Sequence, residues 1–259
     1  MVVDVAKKAG ALMLTLAALM PFSAQAEDFI LSRRAFAYAP DTNALLYSEE
    51  HTETWQDGKL RCSQVQYRGP DQVLLAEKTI DFRKNLTAPD FQLNDLRDGY
   101  QESASLEGER IRVTARRNAE QPIKSRALHV PAPVVVDGGF NEYVLQHWDD
   151  LVAGKTLQFQ FVAPIEQDYF AFQVEPRETR QLNGRRQMLL EMRPVSSLVR
   201  LFVGTVQLTY DAEERHLLQF EGMTNLNNAQ GKSIIARLVY PREEVKKQPL
   251  AQTSLFKAE

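Results

Sequence analysis

The chain has one cysteine, Cys62, in 259 residues. No intramolecular disulfide can form, so the fold has to hold itself together by burial even in an oxidising compartment. Cys62 sits in a strand-like stretch, Leu60 to Tyr67, with no histidine next to it in sequence to activate a thiolate, and it reads as a structural thiol. Long apolar runs are missing after residue 26: nothing there reaches the roughly 20 residues that a membrane-crossing helix needs. Charge of one sign is missing too. Lys and Arg number 31 against 34 Asp and Glu, a formal net charge of −3. Such a mixed surface lacks the basic face that displaces counterions from nucleic acid, so no nucleic-acid partner is expected. The sequence shows no Gly-x-Ser-x-Gly elbow, phosphate-binding glycine loop or dinucleotide fingerprint. His51, His129, His147 and His216 stand in no metal-ligand spacing. No catalytic residue, metal or cofactor is therefore assigned.

What is present begins at the start of the chain. Lys7 and Lys8 precede an apolar run, Ala9 to Met20, which Pro21 ends before Ala24-Gln25-Ala26. The charge, the short run and the small-x-small site make residues 1–26 a secretory signal with cleavage after Ala26, and the mature chain is expected to be soluble in the periplasm. No cysteine follows the cleavage site, so a lipid-anchored form is not expected.

From Glu27 onward the dominant pattern is alternation broken by turns, read as one domain over 27–240 followed by a polar tail over 241–259. Ala44 to Thr54, Leu60 to Tyr67 and Val73 to Phe82 read as a three-stranded meander, with Asp57-Gly58 supplying the positive φ of the first turn. Asn85 to Asp98 is less regular. Tyr100 to Leu106 and Arg110 to Ala115 form a hairpin, and Ile123 to Val130 follows. Pro131 to Gly139 interrupts the pattern and reads as a hinge. Phe140, Tyr143, Val144, His147, Trp148, Leu151 and Val152 then recur at spacings of three and four, which predicts a helix over Gly138 to Ala153 with Asp137 as its N-cap. Strands resume at Thr156 to Ala163, Tyr169 to Val174, around the Asn183-Gly184 turn, at Thr205 to Tyr210, His216 to Glu221 and Ser233 to Tyr240. Leu198, Leu201 and Phe202 put one apolar face on a short helix over Ser196 to Val203. About ten antiparallel strands with one central helix predict a mainly β fold, a barrel or half-open barrel.

Residues that could carry chemistry have ordinary readings close at hand. His147-Trp148-Asp149-Asp150 is a charged helix end whose neighbours point in different directions. Glu49-Glu50, Glu213-Glu214 and Glu243-Glu244 stand in or beside polar turns and read as solvated. A glycosidase would need two carboxyls facing each other across a cleft. What remains is apolar capacity: Phe140, Tyr143, Trp148, Leu157, Phe159, Phe161, Phe170 and Phe172 gather around the helix and the following hairpin, either as core or as the wall of a cavity for an apolar ligand.

Two stretches carry a resemblance. Val136 to Val144, leading to Trp148-Asp149-Asp150-Leu151-Val152-Ala153-Gly154, is one; Leu208-Thr209-Tyr210-Asp211 with Leu217 to Leu226 is the other. They resemble segments of uncharacterised exported proteins of Gram-negative bacteria, similar in outline to the half-open barrels of periplasmic lipoprotein carriers. The resemblance implies a curved sheet that wraps acyl chains under a helical lid, and it transfers no catalytic residue. The leading expectation is a non-enzymatic carrier of an apolar or lipid-like ligand held by Phe140, Tyr143, Trp148, Phe159 and Phe161. An envelope scaffold with a filled core, recognising a partner protein through a sheet edge or the tail, is the alternative. A hydrolase acting on cell-envelope substrate through dispersed carboxylates is the third reading.

Overall fold

The computed structural model describes residues 28–250 apart from Asn183. The expected signal segment, the Asn183 half of the expected turn and residues 251–259 of the tail lie outside the described residues.

The first half of the chain is a run of antiparallel strands: β1 (Phe29–Tyr38), β2 (Leu45–Gln56), β3 (Lys59–Arg68), β4 (Leu74–Asp81), β5 (Asp90–Asp95), β6 (Gln101–Glu107), β7 (Arg110–Arg116) and β8 (Lys124–Leu128). A two-residue strand, β9 (Val134–Val135), leads to the helices α1 (Gly139–Gln146) and α2 (Trp148–Val152). The second half has β10 (Leu157–Ala163), β11 (Asp168–Leu182), β12 (Arg185–Pro194), helix α3 (Ser197–Val203), β13 (Val206–Asp211), β14 (Leu217–Asn227) and β15 (Ser233–Val239). In the tail, a 3-10 turn, Arg242–Glu244, precedes β16 (Lys246–Pro249), which pairs with Phe29–Ser32 of β1.

All sixteen strands belong to one open sheet, where the sequence suggests about ten. The excess has identifiable sources. β1 hides its period because Ser32-Arg33-Arg34 interrupts the apolar alternation, and β9 and β16 are too short to show one. β5 lies in the stretch that looks irregular in sequence.

The order runs from β8 through β1, then from β15 back to β9, so the two halves meet where β1 pairs with β15 at Phe36↔Val239 and Tyr38↔Arg237. The two edge strands, β8 and β9, are consecutive in the chain. A flat sheet of this width would hold them roughly 65 Å apart at ~4.8 Å per strand. Residues 129–133 join them and can reach no more than about 20 Å. The sheet therefore curls until its edges approach each other. Contacts across the gap agree: Val136 N–H donates to Thr87 O at 2.9 Å, Arg126 donates to Gln167 O at 3.1 Å, and Arg117 pairs with Glu166 at 2.8 Å. No backbone ladder joins β8 to β9, so the curl stays open.

Two apolar clusters fill it. One lies among β2 to β8, with Tyr47, Tyr67, Phe91, Leu93 and Val113 buried. The other holds the helices against β10 to β13: Phe140, Tyr143, Val144, Trp148 and Leu151 meet Phe159, Phe172, Met188, Leu190 and Tyr210. The expected helix is thus present as two pieces, broken at His147 where the backbone leaves helical geometry at φ −106° and ψ 20°. Asp137 does not cap it. Gly138 occupies the cap, and Asp137, at φ 40°, turns its carboxylate toward Lys78 instead.

The segment expected to hinge is pinned on both sides. Gln160 N–H donates to Pro133 O at 2.8 Å, Val136 N–H is held by Thr87 O, and Gly139 packs directly on the 85–89 loop. A Cβ at residue 139 would stand 2.1 Å from Thr87 O, a backbone atom that cannot step aside. Gly139→Ala should therefore lower unfolding stability by about 2–3 kcal/mol, the overpacking range, as read from the urea midpoint. A midpoint equal to wild type would show that the loop yields.

Candidate functional site

The strand directions bring the β5–β6, β7–β8, β10–β11, β12–β13 and β14–β15 connections to the same end of the curl. A groove of about 980 Å³ opens there. Its apolar wall comes from Phe161, Phe170 and Phe172 on adjacent strands β10 and β11, with Ile165 and Met223 beside them. Phe161 and Phe172 lie 5.5 Å apart, centroid to centroid. Strand alternation explains the wall: Phe161 and Phe170 are cross-strand partners, and Phe172 faces Phe159.

The opposite side is α3, an insertion between two strands that pair directly with each other. Ser196 starts it, its hydroxyl accepting from Val199 N–H at 3.4 Å, and Gly204 ends it at φ +74°. Val199, Phe202 and Val203 face the groove, yet Leu201 and Phe202 are 80% and 76% exposed. The rim is polar, with Asp98, Asn118, Gln121, Asn227 and the Arg117–Glu166 pair.

Of the five residues expected to hold a ligand, Phe161 lines this groove. Tyr143, Trp148 and Phe159 are buried where α1 and α2 meet the sheet: the Tyr143 ring packs tilted against Phe159 at 5.1 Å and donates its hydroxyl to Gln158 O, and Trp148 meets Tyr210 edge-on at 5.6 Å. Phe140 borders a different space, a cavity of about 200 Å³ in the middle of the curl. Phe170, Phe172, Met223 and the α3 residues complete the groove. Phe170 and Phe172 carried a sequence signal in the alternation of the 169–174 strand; the convergence of α3 and Met223 on them carried none.

The middle of the curl is ionic. β2 turns Tyr47, Glu49, His51 and Glu53 inward in succession. Glu49 therefore stands within a strand and is buried, unlike the solvated turn residue its sequence suggests. Its carboxylate lies 2.9 Å from His51 Nε2. Glu53 accepts from Arg33 and from the Trp55 indole. From β4, the Lys78 ammonium reaches the Asp137 carboxylate at 2.9 Å, and Asn225 on β14 donates to Asp137 Oδ1 at 2.8 Å. The signal for this row was the period-two spacing of residues 47, 49, 51 and 53, masked because its members are charged.

These groups perturb one another. Burial acts to drive the Lys78 ammonium toward neutrality, but the charges of Asp137 and Glu49 more than reverse it, and its pKa lies above the ordinary value. Glu102, on β6, is pushed up to about 7, first by burial and then by the Asp137 charge, with Lys78 opposing.

No protein-family model and no curated protein matches the chain. Among the solved structures similar to it in outline are two from Gram-negative bacteria. One is a beta-barrel-like protein of domain of unknown function DUF1849 from Brucella abortus, 8% identical, covering 87% of this chain and 98% of its own, with a TM-score of 0.46. The other is an outer membrane lipoprotein-sorting protein domain from Vibrio parahaemolyticus, 10% identical, covering 89% and 88%, with a TM-score of 0.28.

A carboxyl whose folded pKa is raised stabilises the fold below its unfolded pKa, and that contribution is lost as pH climbs through the folded value. Between about pH 4.5 and 7 the wild type should lose on the order of 3 kcal/mol of stability from Glu102. Glu102→Gln should flatten that part of the profile of urea midpoint against pH. Parallel wild-type and variant profiles would remove Glu102 as the titrating group.

Proposed function

We propose that this chain is an exported, non-enzymatic binding protein that takes the acyl portion of an amphipathic molecule into the groove at the end of the curl. Export rests on the signal read in residues 1–26. The observation that carries the binding reading is the groove itself: an apolar wall of three phenylalanines facing a helix that leaves Leu201 and Phe202 uncovered. Burying a methylene there contributes about 0.8 kcal/mol, so a chain of ten methylenes offers roughly 8 kcal/mol before the cost of ordering it. A methylene occupies about the volume of a water, ~30 Å³, and a groove of 980 Å³ is large enough for an acyl chain of ordinary length. The polar rim is suited to a head group left in water. Tyr143, Trp148 and Phe159 serve this reading from behind, by fixing the sheet that carries Phe161 and Phe172.

Native mass spectrometry of the protein recovered from the periplasm, followed by organic extraction, tests this. An acyl amphiphile at one per chain is expected, and it should be lost from Phe161→Glu and Phe202→Glu variants whose circular dichroism matches wild type. A clean apo mass that persists after incubation with fatty acid, or ligand retained by both folded variants, would contradict the reading.

A further inference from the structure

Exposed apolar side chains are gathered at one end of this molecule. The β1–β2 and β3–β4 connections turn at the same end as the groove, since strand direction alternates from β1 to β8. Among the described residues twelve large apolar side chains are exposed, and eight of them stand in or directly beside the connections of this end. The opposite end has three, Leu86, Val152 and Leu182, and the twelfth, Ile235, stands early in β15. Four of the eight, Val195, Leu198, Leu201 and Phe202, belong to α3 and the residues that lead into it. The β1–β2, β3–β4, β5–β6 and β7–β8 connections add one each. Exposed apolar residues scattered singly are ordinary, but their concentration at one end marks a contact surface.

The groove accounts for only part of α3. Val199, Phe202 and Val203 line it, whereas Leu198 and Leu201 do not and are 65% and 80% exposed. At about 100° per residue, the apolar arc of α3 runs from Leu201 through Leu198 and Phe202 to Val203, and Arg200 stands outside it. A helix apolar over such an arc, with a basic residue on the remaining side, suits the plane of a bilayer interface. The charges beside it suit a phosphate surface. Arg200 in α3 and Lys232 in the β14–β15 turn, which borders the same groove, are both exposed. Neither makes an ion pair among the described residues, and residues 195–205 and 228–232 contain no acid. The acids of this end, Asp41, Asp71, Asp98, Glu120 and Glu166, all stand in other connections. A protein partner is met by a continuous, closely packed face. Here single side chains project from separate turns around the mouth of a groove, and each can enter a fluid apolar layer by itself.

We propose that α3 and the turns beside it dock this end of the chain on a phospholipid bilayer that carries anionic head groups, with Leu198, Leu201 and Phe202 entering the acyl layer and Arg200 and Lys232 meeting phosphates. The groove then opens onto the membrane. The purpose of the contact, passage of an acyl chain between bilayer and groove, rests on the acyl-binding reading; the docking itself does not.

The test is flotation of the purified chain with vesicles of phosphatidylethanolamine and phosphatidylglycerol. Wild type should float with them, more completely as the phosphatidylglycerol fraction rises. Leu198→Glu and Leu201→Glu change side chains that stand in solvent, and circular dichroism should match wild type. Each should weaken vesicle binding by at least about tenfold, the effect of one leucine withheld from the apolar layer. Leu182→Glu, at the opposite end, should bind as wild type does. Native mass spectrometry of Leu198→Glu with fatty acid supplied in solution separates the two readings: the variant that no longer floats should still take up the acid. A wild type that floats but takes up no fatty acid would sink the acyl-binding reading and leave the docking standing. The docking is overturned if wild type stays with the vesicle-free fraction, if both α3 variants float undiminished, if phosphatidylglycerol content makes no difference, or if Leu182→Glu loses as much binding as they do.

Discussion

Lys78 and Asp137 form the contact on which the two halves of this structure depend. Lys78 belongs to β4 in the first half, and Asp137 sits where the chain turns into the helices of the second. Asn225, from β14, donates to the same carboxylate, so one side chain ties three distant segments. Removing either partner would leave a buried charge unpaired, which typically costs about 3–5 kcal/mol. The turn at Asp137, with its positive φ, points the carboxylate inward, and Gly139 then lets the helix start against the 85–89 loop. The position of α1, and with it the packing of Tyr143 and Phe159, follows from that turn.

Once the interior is committed to ions and tyrosines, it has little room for an acyl chain. Apolar capacity is displaced to the end of the curl, where the strands of the second half continue past the helices. There Phe161 and Phe170 are left only partly buried, and α3 stands opposite with Leu201 and Phe202 in solvent. An exposed surface of this kind is retained when it meets something. The helices that the sequence puts at the centre of the site thus act as its foundation, while a shorter helix borders it.

Much of the fold was legible because strand and helix periods are local. The meander from residue 45 to 81, the hairpin at 101–116 and the helical spacing from Phe140 to Val152 could all be read directly. What escaped detection had physical reasons. The inward row of β2 and the Arg33 side chain on β1 are charged, and apolar alternation is blind to a charged residue that points inward. The break at His147 does not disturb the three-and-four spacing on either side of it. The groove depends on which connections share an end of the sheet, and that is fixed by sixteen strand directions together. Of its wall, the sequence grouped Phe161, Phe170 and Phe172 with the aromatics of the helix, since clustering of aromatics along the chain weights the helix as heavily as the strands.

The central claim is a location: apolar ligand at the end of the curl, ions in its middle. A crystal structure grown with a bromine-labelled fatty acid measures it directly through the anomalous signal of bromine. The account predicts density between Phe161, Phe170, Met223 and α3. Bromine among Tyr143, Trp148 and Phe159, or in the cavity beside Lys78 and Asp137, would contradict it.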